Sequence, residues 1–278
     1  MTNKKKKKRR LRRRRFAQFA ALIIIIAALI TLLSRCGINR LSQNTEEETA
    51  SSETEEADDE IVIVLDPGHG FDDVGNDKGY LTEYESYYTV LYAAELKEKL
   101  EAMGATVYLT HDGESYPSEE YLTAKIAEYG ITFSSTDVAA TADDNLFNKY
   151  ERVMYASILN YEYEVDFFLS IHFNSYETGD VCGAAVYYYE NCPNTYVASK
   201  FASIVMNEIG YASNYSGIYS CDYDEAYAVT KYGDYPSALI ELAFMTNASD
   251  AANIASETWR DEITTLLAQA IMSALGAD

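Results

Sequence analysis

The chain of 278 residues is long enough for one sizeable domain with additional segments. Its formal charge of −22 combines two very different parts. Thirteen of its 22 basic residues precede Glu46, the first acid, which leaves nine basic residues and all 44 acids for the rest. A surface that acidic repels phosphate groups, which excludes nucleic acid and anionic bilayers as partners of this larger part.

A basic block followed by an apolar run predicts a membrane anchor near the N-terminus. Residues 1–15 hold eleven Lys and Arg residues, and Gln18 is the only strongly polar side chain from there to Ser34. A helix of about 20 residues spans the roughly 30 Å hydrocarbon core, and a preceding basic segment stays in the cytoplasm. We therefore predict a basic cytoplasmic segment at residues 1–15 and a transmembrane signal anchor at residues 16–35. The alternative is a cleaved signal peptide, although the run is long for one and ends without a small-x-small cleavage site.

Residues 36–59 have the composition of a disordered acidic linker. They are rich in Glu, Ser and Thr and hold few apolar side chains. Such a segment buries too little apolar surface to offset the chain entropy of folding, and its like charges extend it. Residues 60–278 are then predicted to form the folded domain, which is a usual size for a single domain.

Hydrophobic patterns in the folded part alternate between strands and helices. Ile61–Leu65 is a short β-branched run that ends at Asp66-Pro67-Gly68. Glu85–Met103 is amphipathic and stops at Gly104, and Ala105–Thr110 is a second apolar run. The order strand, loop, helix, strand predicts an α/β domain with parallel pairing. Later runs extend this pattern, with strands predicted at 167–171, 183–189 and 238–242 and helices at 121–129, 147–161, 198–209 and 257–275.

Two of the three histidines lie where chemistry is expected in such a fold. His69 follows the first strand, His172 ends the strand FFLSI, and Glu241 lies in the strand ALIEL. Ligands of open α/β sheets collect at the carboxyl ends of strands, so these side chains are expected at one edge. One histidine there is more often a hydrogen-bonded core residue, and only the joint pattern favours a site. Imidazole and carboxylate suit Zn²⁺, which takes three protein ligands in catalytic sites. The third ligand is then a carboxylate near the start of the first helix, Glu83 or Glu85.

Three motifs follow one another along the folded part. They are DPGHG at residues 66–70, SIHFN at residues 170–174 and LIELAFMTN at residues 239–247. Together they resemble the signatures of the zinc-dependent N-acetylmuramoyl-L-alanine amidases with the type-3 amidase domain, from about Ile61 to Leu275. The resemblance implies a single α/β domain with a mainly parallel central sheet flanked by helices. It also implies hydrolysis of the amide bond between the lactyl group of N-acetylmuramic acid and L-alanine in peptidoglycan.

The resemblance implies roles for four residues. His69 and His172 match the first and last zinc ligands of the family. Glu241 matches the catalytic glutamate, which takes a proton from water and passes it to the leaving amine. The middle ligand of the family is a glutamate that opens the first helix and is followed by apolar residues at set spacings and then by Gly. Counting from Glu85 fits that spacing and counting from Glu83 does not, so Glu85 is the predicted third ligand.

Three features depart from the pattern of the family. Phe71 replaces a second Gly, which predicts a bulkier rim and a narrower cleft. Thr110-His111 replaces Thr-Arg at the end of the second strand, and we interpret His111 as a structural replacement. Residues 113–145 exceed a minimal linker and predict a lid, an extra wall of the groove or a surface decoration.

The folded part holds three cysteines, Cys182, Cys192 and Cys221. One pair can be bridged, with Cys182–Cys192 the simplest choice, or all three can be free thiols. Their spacing is unlike that of a Cys-rich zinc site.

Two other functions remain open from the sequence. The same zinc site could cut another peptidoglycan amide, such as a peptide cross-link. Alternatively, the domain could be a catalytically inactive or activator-dependent amidase-fold protein that binds the cell wall, although the intact set of four residues argues against inactivity. An anchored enzyme that faces outward favours a Gram-positive-type bacterium, in which the wall lies just outside the membrane. Oligomeric state and protein partners are undetermined.

Overall fold

The computed structural model describes residues 60–133, 149–209 and 213–277. The predicted basic segment at 1–15, the signal anchor at 16–35 and the linker at 36–59 lie outside these ranges. Among the described residues, no helix combines the length and apolar character needed to cross a bilayer.

Strands and helices alternate along most of the described chain. The strands are β1 (Val62–Pro67), β2 (Thr106–Leu109), β3 (Phe167–Asn174), β4 (Ala185–Tyr189), β5 (Gly217–Cys221) and β6 (Ser237–Phe244). The helices are α1 (Glu85–Ala102), α2 (Glu119–Tyr129), α3 (Lys149–Tyr163), α4 (Thr195–Glu208), α5 (Ala228–Lys231), α6 (Ala248–Ile254) and α7 (Glu257–Leu275). The predicted α/β class is confirmed.

The six described strands form one mixed sheet in the order β2-β1-β3-β6-β4-β5. Four neighbouring pairs are parallel, and only β4 and β6 run antiparallel. The reversal follows from the connection between β3 and β4, residues 175–184, which contains no helix. A parallel return needs a crossover of a dozen or more residues, so the chain after this shorter loop runs back in the opposite direction.

The two faces of the sheet bury different residues because side chains alternate along each strand. On one face, Ile63, Leu169 and Ile240 belong to the larger core beneath α1, α4 and α7. On the other face, a second core beneath α3 and α5 contains Val64, Phe168 and Leu239. Residues two or four positions further along the same strands share this second face, and they are Asp66, Ser170, His172 and Glu241. The sheet therefore gathers its polar strand-end residues on the side that α3 and α5 cover.

Phe71 anchors the segment that follows β2. Its ring lies 4.3 Å from that of Tyr116 and packs against the small core of Leu122, Met154 and Ile158, through which α2 lies on α3. The residue has a left-handed backbone (φ 59°), which costs about 1–2 kcal/mol for a side chain other than glycine. The bulk expected to narrow the cleft instead holds residues 113–133 against the body, and Phe71 is not part of the cleft lining. Residues 134–145 lie outside the described ranges.

The three cysteines of the folded part are free thiols. Cys192 and Cys221 are buried, and Cys182 is partly exposed. The Cys182–Cys192 bridge is absent, and the alternative of three free thiols describes the structure.

Candidate active site

His69, Glu85 and His172 converge at the carboxyl ends of β1 and β3. The Glu85 carboxylate lies between the two imidazoles, with Oε2 3.2 Å from His69 Nε2 and Oε1 3.0 Å from His172 Nδ1. One ligand atom from each residue can be chosen so that all three lie within 4.8 Å of one another. The structure thus brings together the three residues predicted as ligands, and they form a group that can hold one metal ion.

Glu85 is the most constrained member of the group. It is the first residue of α1, where the helix dipole favours a negative charge, and its side chain is 1% exposed. Two backbone amides also donate to it, Asn76 N to Oε2 at 2.9 Å and Phe173 N to Oε1 at 3.0 Å. Burial opposes ionisation, but hydrogen bonds from His172 and His69 outweigh it and hold the pKa of Glu85 well below its usual range. The carboxylate is therefore charged and presented to both rings. Glu83, the alternative ligand, is half exposed near Lys78.

Asp73 fixes the orientation of His69. Both Asp73 oxygens lie 2.9 Å from His69 Nδ1, which leaves Nε2 directed at Glu85. Burial lowers the pKa of His69, but the neighbouring Glu85 and Asp73 carboxylates raise it more, and the net shift is upward. A carboxylate on the far nitrogen of a metal-binding histidine sets its tautomer and basicity. Sequence reasoning missed Asp73, although an acid four residues after the histidine of DPGHG was a usable signal.

Two glycines make room for the group. A Cβ on Gly68 would lie 2.4 Å from the His172 ring. A Cβ on Gly75 would lie 2.6 Å from His69 Cδ2 and 2.7 Å from Glu85 Oε2, and Gly75 also has a φ of +71°. Both positions therefore require glycine for steric reasons.

We expect Gly75→Ala to lower the melting temperature and weaken binding of the zinc ion predicted from the sequence, because the new methyl group displaces His69 and Glu85. Gly104→Ala is the matched control, since Gly104 has a φ of +93° but nothing within 4 Å of an added methyl group. The control should show only the backbone cost of about 1–2 kcal/mol. Equal effects of the two changes on zinc affinity, measured by competition with a chelator, would contradict the steric explanation.

Glu241 lies beside the group but is not part of it. Its backbone pairs with that of His172 across β3 and β6. The residue as a whole is partly accessible, whereas its Oε2 is fully enclosed and has no hydrogen-bond partner among the described residues. Burial, reinforced by the Glu85 charge, raises the pKa of Glu241 to about 8. A buried carboxyl without a partner is costly to maintain, and such groups mark functional sites.

A buried ion pair supports the loop that carries His69. Asp66 accepts hydrogen bonds from Ser170 Oγ (2.6 Å) and Thr110 Oγ1 (2.7 Å), and its Oδ1 lies 3.5 Å from Arg152 Nη1. Arg152 Nη1 also donates to the Pro67 carbonyl at 2.7 Å. The strand end before His69 is thereby tied to α3.

His111 also serves this loop. Its Nε2 lies 2.9 Å from the Pro67 carbonyl, so this nitrogen is the donor. Burial lowers the pKa of His111, which favours the neutral ring. It lies outside the His69–Glu85–His172 group, consistent with the structural role interpreted from the sequence.

A cleft of about 610 Å³ opens above these residues. It is lined by Lys149, Tyr150 and Arg152 of α3 and by Tyr227 and the start of α5. Glu241 and the three clustered residues form the floor. The cleft is large enough for a small ligand or one segment of a polymer.

The α/β sheet carries a group of two histidines and one glutamate, with a separate buried glutamate beside it. These features define a class of proteins with a candidate metal centre for one ion, of the type that hydrolases use. The particular family follows from comparison with known proteins. The chain belongs to the N-acetylmuramoyl-L-alanine amidase family, whose model matches residues 63–273. The resemblance inferred from the three motifs is confirmed.

A curated relative supports this family assignment. The probable cell wall amidase LytH of Staphylococcus aureus is 27% identical over 217 residues, which cover 77% of this chain and 57% of the relative. The chain thus spans just over half the length of that curated relative.

Solved structures share the fold. The catalytic domain of CwlV, an N-acetylmuramoyl-L-alanine amidase from Bacillus (Paenibacillus) polymyxa var. colistinus, aligns with a TM-score of 0.58 at 20% identity, covering 78% of this chain and 99% of that one. The CwlD amidase of Clostridioides difficile, solved in complex with the GerS lipoprotein, aligns at 0.54 and 22% identity, covering 78% and 100%. At these identities the likeness establishes the α/β fold.

Proposed function

We propose that this protein hydrolyses the amide bond between the lactyl group of N-acetylmuramic acid and L-alanine in peptidoglycan, with Zn²⁺ as its cofactor. Family membership supports the reaction class. The observation that carries the proposal is Glu241, whose buried and unpartnered Oε2 lies beside a three-residue group suited to a metal ion. A group with no structural partner in that position is available for proton transfer.

The residues present fit zinc. Two imidazoles and one carboxylate are among its usual ligands, and three protein ligands leave a position for substrate or water. With one ligand atom taken from each residue, the three atoms all lie within 4.8 Å of one another. His69, Glu85 and His172 would hold the ion. When bound, Zn²⁺ supplies a Lewis acid that polarises the scissile carbonyl and acidifies water.

Glu241 is the proposed general base and acid. Its carboxylate accepts a proton from the attacking water and then donates it to the leaving amine of L-alanine. A pKa raised by burial suits both steps, because a group that must gain and lose a proton works best near the ambient pH. A bound cation would move this pKa downward, towards the form that accepts the proton.

We expect Asp73→Asn to weaken zinc binding by roughly 10- to 100-fold, the usual effect of removing a carboxylate behind a histidine ligand. The asparagine keeps the size of the side chain but loses the charge and one acceptor at His69 Nδ1. Asp72→Asn is the control, since the neighbouring Asp72 has no hydrogen bond to His69 among those described. An unchanged zinc dissociation constant in Asp73→Asn would exclude this role.

The proposed setting is the outer face of the cell membrane. The predicted anchor at 16–35 and linker at 36–59 would hold residues 60–278, as the amidase domain, within reach of nearby wall. N-terminal sequencing of the mature protein distinguishes this from a secreted form: a start after residue 35 would show that the apolar segment had been removed.

The reaction is tested with the purified chain and isolated peptidoglycan. We expect one zinc ion per chain by elemental analysis, and products with new L-alanine amino termini by mass spectrometry. Bound zinc without cleavage of any wall type would support the alternative of an inactive or activator-dependent wall-binding protein. Peptides released from a cross-link instead would assign the same site to another amide. A chain that binds no zinc would refute the proposed metal centre.

A further inference from the structure

Tyrosines continue the cleft beyond Glu241, along β4 and β5. We use the name tyrosine platform for Tyr187, Tyr219 and Tyr227. Tyr187 pairs with Leu239 of β6, two residues before Glu241, and also with Tyr219 of β5. Because side chains two residues apart on a strand share a face, the Tyr187 and Tyr219 rings project from the same face of the sheet as Glu241. The platform therefore lies beside the proposed active site, on the side away from β1 and β3.

The rings of the platform contact one another. The Tyr187 and Tyr219 rings stack with centroids 4.8 Å apart at 14°, and Tyr227 meets Tyr187 edge-on at 5.3 Å. The Tyr187 hydroxyl is also hydrogen-bonded to the Tyr215 hydroxyl. Tyr219 lies over Gly217, where an added Cβ would meet its ring at 3.0 Å. The rings are thus held in place before any ligand arrives, which reduces the entropy cost of binding.

The platform is accessible and continuous with the cleft. Tyr219 is 37% exposed and Tyr227 is 42% exposed. Tyr227 also lines the cleft together with Glu241, so one ligand can touch both. Adjacent strands are about 4.8 Å apart, which places β5 about 10 Å from β6, roughly the length of a disaccharide.

The charges around the platform favour a neutral ligand there. Asp222, Asp224 and Glu225 directly follow β5 and are exposed. They repel the carboxylates of a stem peptide but have little effect on uncharged sugars. The basic residues that line the cleft belong to α3, and Arg152 reaches Asp66 and Pro67 at the end of β1. Tyrosine suits sugars, since its ring packs against C–H groups while its hydroxyl reaches a polar partner.

We propose that the tyrosine platform binds the glycan strand next to the muramic acid whose amide is cut. The stem peptide then extends towards α3 and β1. This inference rests on the proposed function for the identity of the polymer, but it concerns binding of sugar and not catalysis.

The test measures binding of neutral N-acetylglucosamine oligomers, which carry neither a stem peptide nor a lactyl carboxylate, by calorimetry with the full chain. Without the peptide there is no bond to cut, so the result does not depend on activity. We expect Tyr219→Ala to raise the dissociation constant about 2- to 10-fold, as for the loss of one aromatic contact, and Tyr219→Phe to bind like the wild type. Tyr121→Ala is the matched control, because Tyr121 is similarly exposed (38%) but lies on α2.

Equal affinities for wild type and Tyr219→Ala, or no binding by the wild type, would overturn the platform. Thermal melts show whether each variant is folded. If Tyr219→Ala is unfolded, Tyr219→Phe still provides a variant that keeps the aromatic ring. Glycan binding without cleavage of intact peptidoglycan would instead count against the proposed function and leave the platform standing.

Discussion

Replacement of Glu241 by glutamine is expected to lower kcat for peptidoglycan hydrolysis by roughly 10²- to 10⁴-fold, the usual contribution of a general acid–base residue. Glutamine nearly matches the size of glutamate, so the packing of β6 between β3 and β4 is preserved. Its amide cannot carry the proton from water to the leaving amine. Zinc content should stay at one ion per chain because Glu241 is not part of the His69–Glu85–His172 group.

Glu262→Gln provides the control for this change. Glu262 is an exposed acid of α7, so its replacement alters the net charge equally at a site remote from the strand ends. We expect wild-type kcat and zinc content for this variant. More than about a tenth of wild-type kcat in Glu241→Gln would remove Glu241 from the proposed chemistry.

Replacement of Glu85 by glutamine should abolish hydrolysis by preventing stable zinc binding. Removing a hydrogen-bond partner behind a metal ligand usually weakens metal affinity by roughly 10- to 100-fold. Because Glu85 is itself a proposed ligand, we expect its replacement to weaken zinc affinity by more than this. The buried carboxylate is the only anionic member of the group, and two imidazoles alone would have to hold a doubly charged ion. Zinc titration of the metal-free chain measures the effect directly.

Glu83→Gln is the matched comparison, because Glu83 was the competing ligand in the sequence. Its side chain is half exposed, and its nearest basic group, Lys78 Nζ, is 4.0 Å away. We expect zinc affinity and activity close to wild type, since an exposed pair at that distance contributes little. The reverse outcome, with Glu83→Gln losing zinc and Glu85→Gln keeping it, would exchange the two assignments.

Several parts of the site were predictable because they depend on local patterns. His69 and His172 follow short apolar runs that predict buried strands, and parallel strands bring their carboxyl ends to one edge. Glu85 was selected over Glu83 because the residues after it match the spacing implied by the family resemblance. The N-terminal anchor and linker remain predictions from composition, since they lie outside the described residues.

Other parts depend on contacts between distant segments. Arg152 lies 86 positions after Asp66 in the chain, and no local pattern pairs them. The expected narrowing of the cleft by Phe71 was wrong, because its ring packs against Tyr116 and a small apolar core between α2 and α3 and does not line the cleft. No local pattern singled out the tyrosines, yet three of them form a surface beside Glu241.

The sequence by itself determined the α/β class, the family and the residues with suitable chemistry, because periodicity and short motifs are local properties of the chain. The tertiary structure decided what those residues face. Strand order put β6 beside β3, which brought Glu241 next to His172. The short loop after β3 reversed β4, and β4 and β5 then carried Tyr187 and Tyr219 to the open side of the cleft. Strand order and register arise from the burial of whole faces of the sheet, so they depend on the entire chain rather than on any single segment.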